Sequence, residues 1–179
     1  MEADKQKSWT AITYAQDFSE EGAALGPQTI LRLKAIARAR DEGYNIKAVA
    51  MACGLGPETD LYPKQTEPFA TMMKEWLVDE GKFPAEMVYS SADAWNCMES
   101  TLELVRMIQS NNLPRNVLVV SAGKHIYPRM WTTWELLCGG KKDWRLGFVP
   151  AWEGTYDLFH EWAGTVKYIP MALWYRRKV

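Results

Sequence analysis

Short apolar runs alternate along the chain with longer stretches whose apolar residues recur every three or four positions. The short runs cover 9–14, 46–52, 87–89, 117–120 and 146–149. Carrying β-branched residues and bounded by Gly, Pro or Asn, they predict buried strands. The longer stretches predict helices. The first starts at Pro27, turns Ile30, Leu33, Ile36 and Ala37 inward, and ends at Gly43. The second begins near Thr66 with Glu67 and Pro68 in its first turn, buries Phe69, Met72, Met73, Trp76 and Leu77, and stops at Gly81. A third spans about 92–111 and carries Trp95, Met98, Leu102, Val105 and Ile108 on one face. A fourth covers about 127–137. A last one runs from about 156 toward the C-terminus, bent or broken at Pro170.

Alternation of this kind over 179 residues predicts right-handed βαβ crossovers and a sheet covered on both faces. The expected fold class is α/β: a three-layer Rossmann-like domain with a mainly parallel five-stranded sheet and helices on both faces. Residues 1–8 read as a polar lead-in, 9–179 as a single domain, and 168–179 as an aromatic and basic tail. The strand order 3-2-1-4-5 is preferred to 2-1-3-4-5.

Lys and Arg total 21 against 22 Asp and Glu, for a formal charge of -1. That balance argues against nucleic acid as a bulk partner, which needs a basic face. Hydrophobic residues make up 47% of the chain, yet no window reaches the roughly 20 apolar residues of a membrane span. With no apolar segment near Met1, a cytoplasmic location is expected. Three scattered cysteines without a CxxC pair, and two histidines, point to neither a disulfide framework nor a zinc site. Mg²⁺ on carboxylates is the metal that the composition leaves open. The nine Trp residues read chiefly as core and interface filler.

In open parallel sheets, ligands lie beyond the C-terminal ends of the strands, where loops and helix N-termini converge. The residues at those positions are Gln16 and Asp17, then Cys53, Gly54 and Gly56, then Ser90, Ser91 and Asp93. After them come Ser121 to His125, and last Trp152 and Glu153. Segment 121–129 is the richest. Its small turn lets backbone N–H groups of Ser121 and Gly123 approach an anion, while Lys124, His125 and Arg129 supply positive or switchable donors; the alternative is a solvated basic turn. His125 and Arg129 fall four apart, on one helix face if the helix has begun by His125. Gly54 and Gly56 match neither a dinucleotide fingerprint nor a phosphate-binding loop. Thr66 and Glu67 fit a helix cap as well as a ligand contact. Asn96 and Glu99 lie one helical turn apart, where Glu99 can accept from a ligand hydroxyl or amine. Cys97 has no His beside it in sequence, which argues against a nucleophilic thiol.

Taken in order, Arg32, Gly54 with Gly56, Thr66-Glu67, Asn96 with Glu99, and Ser121 with His125 and Arg129 resemble the motif series of the YdcF/SanA/ElyC-like family of bacterial α/β proteins. Glu161, beside His160, resembles a Glu near the family's C-terminus. The resemblance runs from about Thr10 to Trp162. Its departures are the absence of glycines after the first strand, Cys97 and Ser100 where the family has Thr and Asn, and a His-to-Arg spacing longer by one. The resemblance implies a Rossmann-like fold, with S-adenosylmethionine binding for cytosolic members and envelope or lipid-carrier metabolism for anchored ones.

The leading expectation is therefore a small-molecule-binding enzyme, a transferase or a hydrolase, with its pocket over the C-terminal edge of the sheet. His125 is the expected acid/base and Glu99 its catalytic companion. Gln16, Asp17, Arg32, Gly54, Gly56, Glu67, Asn96, Ser121, Gly123, Lys124, Arg129 and Glu161 are the expected ligand-binding set. The alternatives are a non-catalytic ligand sensor on the same fold and a peripheral protein held at a membrane surface through 168–179. For that tail, packing on the domain or on a partner subunit, as in a homo-oligomer, is preferred to the membrane.

Overall fold

The computed structural model describes residues 4–15, 17, 24–55, 67–94, 96–152 and 158–177, with the side chains of Lys124, Leu158 and His160 excepted. Five strands, β1 (Trp9–Thr13), β2 (Ile46–Ala52), β3 (Val88–Ser91), β4 (Asn116–Ser121) and β5 (Arg145–Pro150), form one sheet in the order β3-β2-β1-β4-β5. Every neighbouring pair is parallel. The expected α/β class and the preferred strand order are both observed.

The apolar runs are near-continuous because the sheet is buried from both sides. Along β2, Ala48, Ala50 and Ala52 face one core and Val49 and Met51 the other. Likewise in β4, Val117 and Val119 join the first and Leu118 and Val120 the second. The second core is closed by α1 (Pro27–Asp41) and α2 (Phe69–Asp79). The first is closed by α3 (Cys97–Ser110), α5 (Trp131–Cys138) and α6 (Leu158–Tyr175). Between β4 and α5 the chain makes one helical turn, α4 (Gly123–His125), followed by a wide π-type turn over Ile126–Met130.

Three helices depart from expectation for local reasons. Pro68 is extended (φ -60°, ψ 140°), so α2 starts at Phe69 and not at Thr66, which lies outside the described residues. Asn96 accepts hydrogen bonds from the N–H groups of Met98 and Glu99, both at 3.0 Å, and this cap sets the start of α3 at Cys97 and not near 92. Helix α6 continues through Pro170, so the chain is not broken there. No helix among the described residues is long and apolar enough to cross a membrane. Helix α6 nevertheless carries an exposed row of Phe159, Trp162, Val166 and Leu173.

Candidate functional site

The strand order places the loops after β1 and β4 side by side, with the chain leaving toward opposite faces of the sheet. A cavity of about 160 Å³ opens at this edge. Tyr14 and Ala15 after β1, Cys53 and Gly54 after β2, and Asn96 and Cys97 at the start of α3 form much of its wall. Gly54 is required there by close approach: a Cβ would lie 2.4 Å from the Ala92 carbonyl oxygen.

A buried polar cluster adjoins this wall. Glu161, in the first turn of α6 and 1% exposed, places Oε2 3.1 Å from His125 Nδ1 and 3.0 Å from Arg129 Nε. The wide turn after α4 replaces a regular helix, with Tyr127 in an extended conformation (φ -114°, ψ 115°), yet His125 and Arg129 reach the same carboxylate oxygen. Arg129 also lies with its guanidinium 5.9 Å from the Tyr168 ring centre. Its path crosses α6 at Gly164, where a Cβ would come 2.2 Å from Arg129 Nη2.

His125 is bonded to Glu161 through Nδ1, and the Cys97 thiol lies close enough for each to shift the other's pKa. Burial disfavours the imidazolium, but the interactions with Cys97 and Glu161 outweigh it and hold the His125 pKa above the ordinary imidazole value. Burial likewise pushes the Cys97 thiol up. The interaction with His125 and the charges of His125, Arg129 and Arg32 prevail, and the thiol pKa falls below the ordinary value. Cys53 and Cys138 contrast with it: burial raises them to about 11 and about 12. All three cysteines are thiols.

Cys97 is also anchored through its backbone. Trp134 Nε1 donates to Tyr14 Oη at 2.8 Å, and Tyr14 Oη lies 2.8 Å from Thr101 Oγ1. Thr101 Oγ1 in turn donates to the Cys97 carbonyl at 2.7 Å. Because the Thr101 hydrogen goes to that carbonyl, Tyr14 is the donor to Thr101. This series ties the first turn of α3 to β1 and α5.

Several expected ligand residues make contacts within the fold. Asp17 accepts from the Gln28 and Thr29 N–H groups at 3.1 and 2.8 Å and from Thr29 Oγ1 at 2.9 Å, which caps α1. Arg32, fully buried, donates from Nη1 to the Tyr14 carbonyl at 2.7 Å, and its guanidinium sits 5.6 Å from the Trp152 ring centre. The Gly123 N–H donates to the Trp152 carbonyl at 2.8 Å, so this amide is engaged within the protein and not turned to an anion. Asn96 caps α3, as described. Ser121 is buried, with no hydrogen-bond partner for Oγ among the described residues. Glu67 and Glu99 are exposed and do not line the cavity. Gln16, Gly56 and the Lys124 side chain lie outside the described residues.

The structure therefore brings together Arg32, Cys97, His125, Arg129 and Glu161, and Glu161, not Glu99, partners His125. Cys97 had been set aside because no His neighbours it in sequence. The overlooked signal was topological, since Cys97 and His125 each follow a strand at its C-terminal end. Among the described residues, no group of three or more His, Cys, Asp or Glu side chains is placed to hold a metal ion. No protein-family model and no curated protein matches the chain.

Proposed function

We propose that the chain binds a small anionic or nucleotide-like molecule in this cleft, with S-adenosylmethionine as the first candidate. One observation carries the reading: Cys97 in the cavity wall adjoins a buried cluster in which His125 and Arg129 meet Glu161, at the edge where open parallel sheets bind ligands. Guanidinium and imidazole groups there offer charged donors to an anion entering the cavity. The motif order shared with the YdcF/SanA/ElyC-like family supports the same ligand class.

The cavity, at about 160 Å³, is close to the size of an engineered protein cavity that holds benzene. It has room for one end of a nucleotide-like molecule, such as the carboxylate end of S-adenosylmethionine, with the nucleoside outside it. His125 would then serve as acid or base, since its surroundings hold its pKa above the ordinary imidazole value.

Thermal denaturation with S-adenosylmethionine, nucleoside phosphates and inorganic pyrophosphate tests the proposal. A ligand at a hundred times its Kd adds about 2.7 kcal/mol, a rise in Tm of roughly 5–11 °C for a chain of this size. No rise with any of them overturns it. A rise without turnover, unchanged in His125→Gln, makes the protein a non-catalytic sensor.

A further inference from the structure

Cys97 stands where several features favour a thiolate. It is the first residue of a fourteen-residue helix, α3, whose positive end faces it. Its thiol lies beside His125, which Glu161 holds through Nδ1. The guanidinium groups of Arg32 from α1 and Arg129 from the turn after α4 act on it from two further sides. It also forms part of the cavity wall, open to a small molecule. Tyr168 on α6 and Cys53 after β2 also lie within its electrostatic reach. Behind His125, Nδ1 is held by the Glu161 carboxylate at 3.1 Å, so the ring presents Nε2 as the nitrogen that exchanges a proton with the thiol.

We propose that Cys97 is a nucleophile for acyl transfer, with His125 as its base and acid and Glu161 as the positioning residue for the imidazole. The substrate class is a small ester or thioester whose acyl group fits the cavity. In the first step the Cys97 thiolate attacks the carbonyl carbon. A C–S bond forms, and the carbonyl electron pair moves onto oxygen. Collapse breaks the bond to the leaving alcohol or thiol, which departs with the proton from His125. Water then attacks the resulting thioester and gives a proton to His125. The C–S bond breaks, and the Cys97 sulfur recovers its proton. The sum is ester plus water to acid plus alcohol. The positive end of α3 and the guanidinium groups of Arg32 and Arg129 favour both the developing oxyanion and a negatively charged acyl group.

The proposal rests on the cleft assigned above to ligand binding and deepens it by naming a covalent reaction. Two measurements on the folded protein test it. Iodoacetamide alkylation, followed site by site by mass spectrometry across pH, is expected to label Cys97 about tenfold faster at pH 7 than in the urea-unfolded chain. Cys53 and Cys138, whose thiols burial raises, serve as slow internal controls. With p-nitrophenyl acetate, a burst of nitrophenol and an acetyl group on Cys97 are expected, both lost in Cys97→Ser. An alkylation profile matching the unfolded chain overturns the proposal. So does the absence of an acetyl adduct on Cys97, or a burst that survives in Cys97→Ser. The wild-type profile decides the matter even if His125→Gln does not fold. Because Cys97→Ser keeps the cationic groups, a ligand-induced Tm rise in that variant isolates the binding reading: it can stand while the covalent one falls, or the reverse.

Discussion

Glu161→Gln tests the buried cluster at its centre. The carboxylate is 1% exposed and one of its oxygens lies 3.0 Å from Arg129 and 3.1 Å from His125. The amide keeps the shape but removes the charge that opposes the Arg129 guanidinium, itself only 8% exposed. Removing one partner of a buried pair typically costs about 3–5 kcal/mol, because the surviving charge stays desolvated. For a chain of this length, about 3 kcal/mol corresponds to a fall in Tm of roughly 6–12 °C. Urea denaturation is the assay, and the midpoint is expected to fall with the slope unchanged. Arg129→Met in the Glu161→Gln background is expected to recover part of the loss, since an apolar side chain leaves no stranded charge. The pH dependence gives a second check. Glu161 helps raise the His125 pKa, so its contribution is fully present below the unfolded value near 6.5 and is lost as pH rises through the folded value. The gap between wild type and Glu161→Gln should therefore narrow as pH rises through that window. A loss below about 1 kcal/mol, or a gap that widens with pH, refutes the account of this cluster.

Gly164→Ala sets two effects in opposition. Helix propensity alone would stabilise by about 0.4–1 kcal/mol, but the new methyl overlaps the Arg129 guanidinium. A net destabilisation in urea is expected, and it should largely vanish when Arg129 is Met. Tyr14→Phe leaves the buried indole N–H of Trp134 without its acceptor and is expected to cost about 2 kcal/mol in the same assay. At alkaline pH, Cys53 and Cys138 keep their protons in the fold while the unfolded chain loses them from about pH 9. Their stabilising contribution is thus present below pH 9 and is lost as pH rises through about 11 and about 12. Raised by burial in the same direction, Tyr14 adds to this fall, and Cys53→Ala should flatten the decline between pH 9 and 11 in thermal melts.

The strands were legible because burial on both faces removes polar alternation, so the apolar runs in β2 and β4 mark them nearly residue by residue. Strand order followed from a preference among parallel topologies and not from any one residue. Helix starts were less legible, because a single side chain sets them: the Asn96 cap moved the start of α3 to Cys97. The edge carrying the chemistry was also readable, and it yielded His125 and Arg129, while Arg32 and Glu161 came only from the family resemblance. Their pairing was not. Glu99 shares a local helix turn with Asn96 and looked the better companion for His125, whereas Glu161, thirty-six residues away, is the one packed against it. Sequence distance carries no information about which loops meet across a sheet edge. Asp17 shows a second limit: a polar residue after β1 that reads as a ligand contact also satisfies the amides that open α1.

The cluster also accounts for how one site can hold charge and still move a proton. Transfer of a proton from Cys97 to His125 creates a thiolate and an imidazolium together, so the summed charge of Arg32, Arg129, Glu161, Cys97 and His125 does not change. The surrounding fold therefore feels only a displacement of charge between two neighbouring side chains and not a new buried ion, which is the less costly change in a desolvated site. Glu161 lies on the side of His125 where the positive charge appears, and α3 begins on the side where the negative charge appears. Both ends of the transfer are thus stabilised before a ligand arrives. Cys97→Ser leaves Arg32, Arg129 and His125 in place, so the variant should still bind an anionic ligand while losing every covalent product.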